Sequence, residues 1–528
     1  MSKVRVWLLL ICVALVSTAH SQPKPADIAL PDPLAVELPP GRHDLAPSDP
    51  PLRDLLAGAH SGTLKVTADV AAPVGPGPVK VTWTAWDASG KPTGTRSGVV
   101  YVLPTGMTPI GSSSDENATG GNNAARIVRD PAGRVHMLWV DSGGPSGRTG
   151  PVYRRASVAP DGTVRLDTPA INVADKGPAE WNAYPSLALT PAGDAVQMIW
   201  QGGGTVWTRR LSLGSGGPTF GPVSDTGAKS EGRDVGAAIA ADARGLHLVT
   251  PSAVYGFSAD GGRSWQTEPV PVPKGQRVKT ISLAPNHNGA VDIGFSSVAR
   301  DRTSNDENKG AGGWWQFRTI RRTDGGHWLD PTDVLSGIAG WGAPPPNEDA
   351  LADWVRIAAD SHGGLHAAWH GEAASHIYGH DSAYYAWRDV AGVWHPPIQL
   401  MSPDPARGLK YSFAPSVAID DDRALIVVFY DVYAGSTWLG FDSAVALMHL
   451  DRMVGHLLPV TQFCQEAAKA GHPELALSSR FPAVAPAVWR APDGHVWLDV
   501  LETLGPHYPG ANGHLIVYHR VDVTSLLQ

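Results

Sequence analysis

The chain of 528 residues carries 59 Gly, 46 Pro and 19 Trp, and only 17% of its residues are charged. This composition favours many short strands joined by tight turns, and the length allows one large repeat assembly. The formal charge of −8 includes no basic block, so the sequence excludes the electrostatic footprint of a nucleic-acid binder.

The N-terminus has the pattern of an export signal over residues 1–21. Lys3 and Arg5 precede an apolar run at 7–16, and small residues precede the expected cleavage after Ser21. A run of about 10 apolar residues falls short of the ~20 that span a bilayer. We therefore expect a secreted or periplasmic protein that keeps no stable membrane anchor after cleavage.

The next stretch, residues 22–60, is rich in proline and lacks periodicity, so we expect an extended tether. Beyond it we predict an N-terminal β segment over 61–110 and the main domain over 111–528. The β segment is indicated by three runs with strand-like alternation, at 64–70, 79–86 and 99–103.

From residue 123 onward the chain repeats one pattern: a short apolar strand, a turn that ends in glycine, and a second and third strand. The first unit has strands at 126–130 and 135–139 around Gly133. Seven such units recur at a spacing of roughly 45–75 residues, the range of propeller blades. Radial closure protects sheet edges, so we predict an all-β propeller of seven blades, with six as the alternative count.

The seventh unit contains only three predicted strands before residue 528. The run 99–103 lies just before the first unit, where the fourth strand of a preceding blade would fall. We therefore expect residues 99–103 to close the ring by pairing with the C-terminal blade.

One turn of the repeat has a distinctive sequence, Ser-Ala-Asp-Gly-Gly-Arg-Ser-Trp at 258–265. Asp260 can cap the local backbone, and Gly262 can take a positive φ at no steric cost. Ser258, Asp260, Gly262 and Trp265 have the spacing of the Asp box, or BNR repeat. The chain thus resembles the sialidase-like β-propellers, which place this turn between the third and fourth strands of a blade.

Blade topology then separates two rims. The turns between strands one and two share a rim with the Asp box, whereas the longer, irregular loops share the other, which we call the loop rim. Rigid strands that carry variable loops are typical of ligand sites, so we expect the ligand at the loop rim. Histidines that recur in the repeat are expected to be packed or hydrogen-bonded strand residues: His136, His247 and His366.

Two arginines interrupt the repeat. Arg126 and Arg356 occupy a register position that is serine in three sister units, at the beginning of the innermost strand. A guanidinium there can hold a carboxylate through two parallel hydrogen bonds, or form a buried salt bridge. Sialidases use three arginines for the sugar carboxylate, so the resemblance implies that role for Arg126 and Arg356, with Arg233 or Arg480 as the third.

The same resemblance implies a Tyr nucleophile activated by Glu, and an Asp that acts as acid and base. The candidates are Tyr508, Glu372 and Asp141, all on or next to loop-rim segments. The first hypothesis is therefore an exported glycoside hydrolase that acts on an acidic sugar as a monomer, with no cofactor and no metal.

The loop that begins at His370 supports a second hypothesis. It concentrates proton-transferring side chains, which suit a lyase on uronic-acid glycans, with a nearby Arg neutralising the carboxylate. The same loop could hold a metal or be simply solvated. A third hypothesis is a non-catalytic propeller that binds glycan or protein. The loop's titratable residues are His370, Glu372, His376, His380 and Asp381.

Overall fold

The computed structural model describes most of the chain in sixteen stretches, and the expected export signal lies outside them. Its described residues form eight β-sheets and three short helices, which confirms the predicted all-β class. No helix in these stretches is long and apolar enough to span a membrane. The described ranges are 35–38, 46–61, 65–69, 77–121, 123–142, 149–159, 163–174, 184–214, 218–231, 235–299, 316–334, 351–372, 382–401, 409–471, 476–506 and 513–528.

The N-terminal sheet has four strands in the order β1-β4-β3-β2, and helix α1 packs on it. The helix buries Leu52 against Trp83 of β3, so the prediction of a tether over 22–60 is wrong for this helix and for β1. The elements are β1 (Ala35–Glu37), α1 (Pro50–Ala57), β2 (Lys65–Asp69), β3 (Gly77–Trp86) and β4 (Pro92–Leu103).

The remaining strands form seven antiparallel sheets, numbered here in chain order. Sheet 1 contains β6 (Ile127–Arg129), β7 (Arg134–Ser142), β8 (Thr149–Val158), β9 (Val164–Leu166) and β10 (Ile171–Asn172). Sheet 2 contains β11 (Ser186–Leu189), β12 (Ala195–Gly202), β13 (Thr205–Ser212) and β14 (Thr219–Lys229). Sheet 3 contains β15 (Ala238–Asp242), β16 (Gly245–Val249), β17 (Val254–Ser258) and β18 (Gln266–Pro269).

Sheets 4 to 6 have four strands each, paired in chain order. They are sheet 4, with β19 (Gln276–Pro285), β20 (Val291–Ala299), β21 (Gln316–Arg322) and β22 (Thr332–Asp333); sheet 5, with β23 (Leu351–Ala359), β24 (Leu365–Glu372), β25 (Ser382–Arg388) and β26 (Ile398–Gln399); and sheet 6, with β27 (Leu409–Asp420), β28 (Arg423–Ala434), β29 (Thr437–His449) and β30 (Arg452–Thr461).

Sheet 7 combines both ends of the ring-forming chain. After helix α2 (Phe463–Ala470) come β31 (Leu477–Val484), β32 (Trp489–Arg490), β33 (Val496–Pro506) and β34 (His514–Asp522), and helix α3 (Thr524–Leu527) ends the chain. The outer edge of β34 pairs antiparallel with β5 (Met107–Ser113), which completes the order β31-β33-β34-β5.

The closing strand is thus β5, and the prediction that residues 99–103 close the ring is wrong. Those residues belong to β4 and pair with β3 and β1 in the N-terminal sheet. The boundary between the two parts of the fold falls between Leu103 and Met107, ahead of the predicted boundary at 110. Glu37 joins the parts, because its carboxylate accepts hydrogen bonds from Gly106 N and Thr108 Oγ1, each at 2.7 Å.

Every neighbouring pair of sheets in the ring shares a buried apolar core. Sheets 7 and 1 share one that contains Ile110 of β5, Trp139 of β7 and Tyr518 of β34, all with at most 1% of their surface exposed. The analogous cores join sheets 1 and 2, and so on to sheets 6 and 7. The described sheets therefore pack around a ring, the arrangement of a β-propeller.

The Asp box lies between β17 and β18, the third and fourth strands of sheet 3, as the resemblance implies. Asp260 Oδ1 accepts hydrogen bonds from Ser258 Oγ and from two backbone N–H groups, and Ser258 Oγ accepts one from Gly262 N. Trp265 packs on the core between sheets 2 and 3. The box is thus a structural turn that fixes one end of the sheet.

The recurring histidines are structural as well. His136 is fully buried, with Nδ1 2.8 Å from Tyr153 Oη and Nε2 3.2 Å from the Asp130 carboxylate. The same arrangement recurs at His247 and His366, whose Nδ1 atoms each lie 2.7 Å from a tyrosine hydroxyl of the third strand. Each of these groups ties the second and third strands together at the Asp-box rim.

Candidate functional site

One register position near the axis links neighbouring sheets. The serine at this position in one sheet accepts a backbone hydrogen bond from the innermost strand of the next sheet. Arg126 and Arg356 occupy the equivalent position in sheets 1 and 5. A guanidinium group only donates hydrogen bonds, so it cannot replace the serine hydroxyl as the acceptor in this link and makes other contacts. The serine contacts are Ser186 with Ile239 N at 3.4 Å, Ser282 with Ile357 N at 3.3 Å and Ser416 with Val484 N at 3.1 Å.

A short stretch between β5 and β6 contacts several sheets of the ring at once. We call residues 117–121 together with Asn123 the central segment. It contacts sheet 7 through Thr119, whose N–H donates to Thr503 Oγ1 at 3.2 Å. It also contacts sheets 3 and 4, because Asn123 Nδ2 donates to Gly236 O and Ile281 O, each at 2.8 Å.

Both arginines hold this segment by its backbone. Arg126 Nη2 donates to Gly120 O and, at 3.2 Å, to Gly121 O, while Arg356 Nη1 donates to Asn123 O at 2.7 Å. Three buried N–H groups of these arginines have no hydrogen-bond partner among the described residues: Arg126 Nε, Arg126 Nη1 and Arg356 Nε. Within the described part of the chain neither guanidinium has a carboxylate partner.

The two cations are therefore desolvated and lie near each other. Burial lowers the pKa of Arg126 to about 9, although Tyr184 raises it, and the neighbouring charge of Arg356 lowers it further. Burial alone lowers the pKa of Arg356 to about 10. Both groups stay protonated at neutral pH, so the centre of the loop rim carries two buried positive charges. Among the described residues, neither arginine takes part in the buried salt bridge that was the alternative role.

The other predicted site residues are spread around this centre. Asp141 is the next-to-last residue of β7, at the loop rim, and its Oδ1 accepts hydrogen bonds from Ser114 N at 3.3 Å and Ser114 Oγ at 3.2 Å. Arg480 on β31 forms an ion pair with Glu116 at 2.9 Å, and its guanidinium lies 5.5 Å from the ring centre of Phe441. Arg480 is thus already neutralised by a carboxylate, unlike Arg126 and Arg356.

The remaining catalytic candidates are only partly defined. Arg233 and Tyr508 lie outside the described residues, and Glu372 is placed only by its backbone, at the loop-rim end of β24. His370 is buried two residues earlier, with its ring in edge contact with Phe413 at 5.3 Å. Residues 373–381 of this loop, with His376, His380 and Asp381, lie outside the described ranges. The described residues contain no group of three or more potential metal ligands.

A feature that the sequence reasoning missed surrounds the arginines. Tyr184, Ala414 and Phe481 have positive φ angles of 32°, 38° and 47°. Each of them lies two residues before the register position described above, and a proline follows it directly. Trp354 has a φ of 50° at the same position in sheet 5. The recurring aromatic-proline pairs Tyr184-Pro185 and Phe481-Pro482 are the sequence signal that could have shown this feature.

Comparison with known proteins gives neighbours in structure but none in sequence. No protein-family model and no curated protein matches the chain. The similar solved structures include sialidase, arabinanase and ulvan lyase β-propellers. An ulvan lyase bound to -[GlcA(1-4)Rha3S]- has a TM-score of 0.49 at 10% identity, over 78% of this chain and 95% of that chain.

Two further neighbours are more distant. An α-L-arabinanase of Penicillium chrysogenum complexed with arabinobiose has a TM-score of 0.38 at 13% identity, over 80% of this chain and 98% of that chain. The NanB sialidase from Streptococcus pneumoniae has a TM-score of 0.37 at 10% identity, over 85% and 84% of the two chains. These likenesses therefore concern the fold and not the function of this chain.

Proposed function

We propose that this protein is a glycan-processing enzyme that acts on a carboxylate-bearing sugar at the centre of the loop rim. The observation that carries the proposal is the pair Arg126 and Arg356, which is buried and has no carboxylate partner in the described part of the chain. Desolvating a charge without a counter-charge costs several kcal/mol. A carboxylate that reaches the unpaired N–H groups removes this cost, whereas a neutral ligand does not.

Hydrolysis is the first candidate reaction. Asp141 stands at the loop rim in sheet 1, the sheet that also carries Arg126, and its carboxyl group is the candidate acid and base. Glu372 and Tyr508 remain the proposed base and nucleophile pair. In this reaction the sugar carboxylate pairs with the arginines, the Tyr508 oxygen loses its proton to Glu372 and bonds to the anomeric carbon, and the C–O bond breaks as the Asp141 carboxyl gives its proton to the departing oxygen. Water, which loses a proton to Asp141, then replaces Tyr508 on the anomeric carbon.

Elimination is the second candidate, and one observation favours it. On the paired strands β23 and β24, Arg356 lies opposite Ala368, only two residues from His370. A base close to the group that neutralises the carboxylate suits removal of the proton on C5 of a uronate. That C–H bond breaks, a C4–C5 double bond forms, and the C4–O bond breaks with the oxygen taking up a proton. The arginines stabilise the negative charge that develops on the carboxylate.

One experiment separates these candidates. The protein is incubated with sialosides, uronate polysaccharides and matched neutral glycans, and both reducing ends and the ultraviolet absorbance of unsaturated sugars are measured. Reducing ends without absorbance indicate hydrolysis, and both together indicate elimination. Binding of acidic glycans without either product supports the non-catalytic hypothesis. Binding or turnover of neutral glycans alone contradicts the proposal.

Arg356→Met tests whether the buried arginine pair binds the carboxylate of the glycan. Loss of charge-assisted hydrogen bonds to the substrate is worth about 3 kcal/mol, so we expect roughly a 100-fold weaker kcat/KM or affinity for the acidic glycan. The melting temperature should change little, because the lost hydrogen bond to Asn123 O is offset by removal of a buried charge that has no counter-charge among the described residues. Arg321→Met is the matched control, since Arg321 pairs with Asp292, which keeps Arg388 as a second partner. Equal losses in both variants contradict the role of Arg356.

A further inference from the structure

The innermost strands of sheets 5, 6 and 7 share a backbone irregularity at the loop rim. Their pairing with the second strand shifts register at this point in each sheet. The irregularity places Trp354, Ala414 and Phe481 at positive φ angles. Such a conformation costs about 1–3 kcal/mol for a residue other than glycine, and it persists only where the surrounding structure imposes it.

The identity of these three residues has a direct consequence for packing. Trp354 of sheet 5 and Phe481 of sheet 7 meet across the intervening sheet 6, with ring centres 5.2 Å apart and planes inclined by 43°. The equivalent residue of sheet 6 is Ala414, which is 1% exposed. Because alanine has no side chain beyond Cβ, it leaves the space that the two rings occupy. The three bulges therefore act together to form an aromatic pair.

A second row of rings supports this pair. Phe481 contacts Phe429 at 5.0 Å, and Phe429 in turn packs on Phe413 at 5.5 Å and Phe441 at 5.0 Å. Phe429 is 4% exposed, whereas Trp354 and Phe481 keep part of their surface exposed. The supporting row thus holds the outer pair in place from below, and the outer pair offers aromatic surface at the loop rim.

The position of the pair relates it to the arginines. Trp354 lies two residues before Arg356 on the same strand, and the Arg480 that precedes Phe481 is neutralised by Glu116. Among the described side chains next to the buried cations, Trp354 and Phe481 thus offer aromatic surface, and the charge of the adjacent Arg480 is balanced by Glu116. Aromatic rings of this kind bind the C–H face of a sugar ring, because that face is apolar while its hydroxyl groups stay hydrated at the edge.

We propose that Trp354 and Phe481 form a subsite that binds the apolar C–H face of a second sugar unit. This unit lies next to the sugar whose carboxylate pairs with Arg126 and Arg356. The inference rests on the proposed function for its neighbouring anion site. It defines the substrate class more narrowly, as an oligosaccharide or polysaccharide of at least two sugar units. A rigid aromatic pair contributes to affinity at low entropic cost, since it is ordered before the ligand binds.

The test measures affinity against chain length. Isothermal titration calorimetry is run with glucuronate oligosaccharides of one, two and four units, and with neutral glucose oligosaccharides of the same lengths. The variants are Trp354→Ala, which removes the ring, and Trp354→Leu, which keeps apolar volume but removes the flat face. Trp497→Ala is the matched control, because Trp497 is also a partly exposed ring, stacked on His495 at the opposite rim.

We expect both Trp354 variants to bind the two-unit and four-unit acidic glycans about tenfold more weakly, with unchanged affinity for the single uronate. Trp497→Ala should bind like the wild type at every length. Equal losses for all lengths, or a loss in the control as large as in Trp354→Leu, overturns the subsite. Binding that is unaffected by Trp354→Ala overturns it as well.

The same titrations keep the two proposals apart. If Arg356→Met weakens acidic glycans but Trp354→Ala weakens none, the subsite is wrong and the proposed function stands. If Trp354→Ala weakens the longer glycans while Arg356→Met has no effect on acidic ones, the anion site is wrong and the subsite stands. A wild-type protein that binds none of these sugars overturns both.

Discussion

Replacing Ile110 by alanine should open the ring at the junction between its first and last sheets. Ile110 is fully buried in the core that joins sheets 7 and 1, and it lies on β5, the single strand that connects the two ends of the ring. Arg154 of sheet 1 also donates a hydrogen bond to Ile110 O. The side chain thus stabilises closure itself and not only one sheet.

The expected magnitude follows from the environment of this side chain. Truncating a fully buried isoleucine to alanine costs about 2–5 kcal/mol, and little relaxation is expected beside Trp139. That ring already packs against Gly111, where an added Cβ would lie 2.7 Å from Trp139 Cζ2. A loss of about 3 kcal/mol raises the population of the opened state roughly 100-fold, and proteolysis of the opened state should accelerate by a similar factor.

The assay is limited proteolysis with identification of the cleavage sites, together with thermal unfolding. Val100→Ala is the matched control, because Val100 is also fully buried but packs on Trp83 in the N-terminal sheet. We expect Ile110→Ala to expose sites next to β5 and β34, and Val100→Ala to expose sites before residue 104. The reasoning is refuted if Val100→Ala opens the ring as readily, or if Ile110→Ala leaves the cleavage rate unchanged.

Two further predictions concern carboxyl groups. Although slight burial raises it, hydrogen bonds from Ser264, Ser258 and the turn backbone bring the pKa of Asp260 down to about 2. Asp260→Ala should therefore lower the melting temperature above pH 4, and the difference should shrink as the pH falls toward 2. Asp442 behaves oppositely, because burial raises its pKa to about 7 despite the backbone N–H groups of Cys464 and Gln465. The folded state holds this proton more tightly than the unfolded state, so the wild type should lose stability between pH 4 and pH 7, by roughly 1.4 kcal/mol per pH unit at most. Asp442→Asn should lack this slope. Identical pH profiles of melting temperature for the two proteins would contradict the assignment.

Much of the fold could be predicted because its signals are local. The Asp box at 258–265 depends on a turn in which one carboxylate and one serine hydroxyl satisfy neighbouring N–H groups, so its geometry is encoded within eight residues. The repeat likewise follows from alternation within each strand pair. The prediction that His136, His247 and His366 are structural is confirmed. A residue that recurs at one position of a repeat makes the same packing contact in each unit.

The sequence pattern also placed Arg126 and Arg356 at equivalent positions near the axis. It did not show what they contact. The central segment that they hold contains no strand or helix pattern, and its contacts reach five sheets that are far apart in sequence. The absence of a carboxylate partner is a property of that assembled environment, and no local motif records it.

The sequence by itself determined the repeated unit with most of its strands and turns, because alternation and turn chemistry act over a few residues. Only the tertiary structure decided which strand closes the ring: residues 99–103 have the stronger β pattern, yet β5, with Pro109 and Gly111, pairs with β34. Strand propensity does not specify a partner, which depends on the edge left open once six sheets are in place. The tertiary structure also packs sheets 5 and 7 on either flank of sheet 6, and this packing brings Trp354 and Phe481, which are far apart in the sequence, into contact.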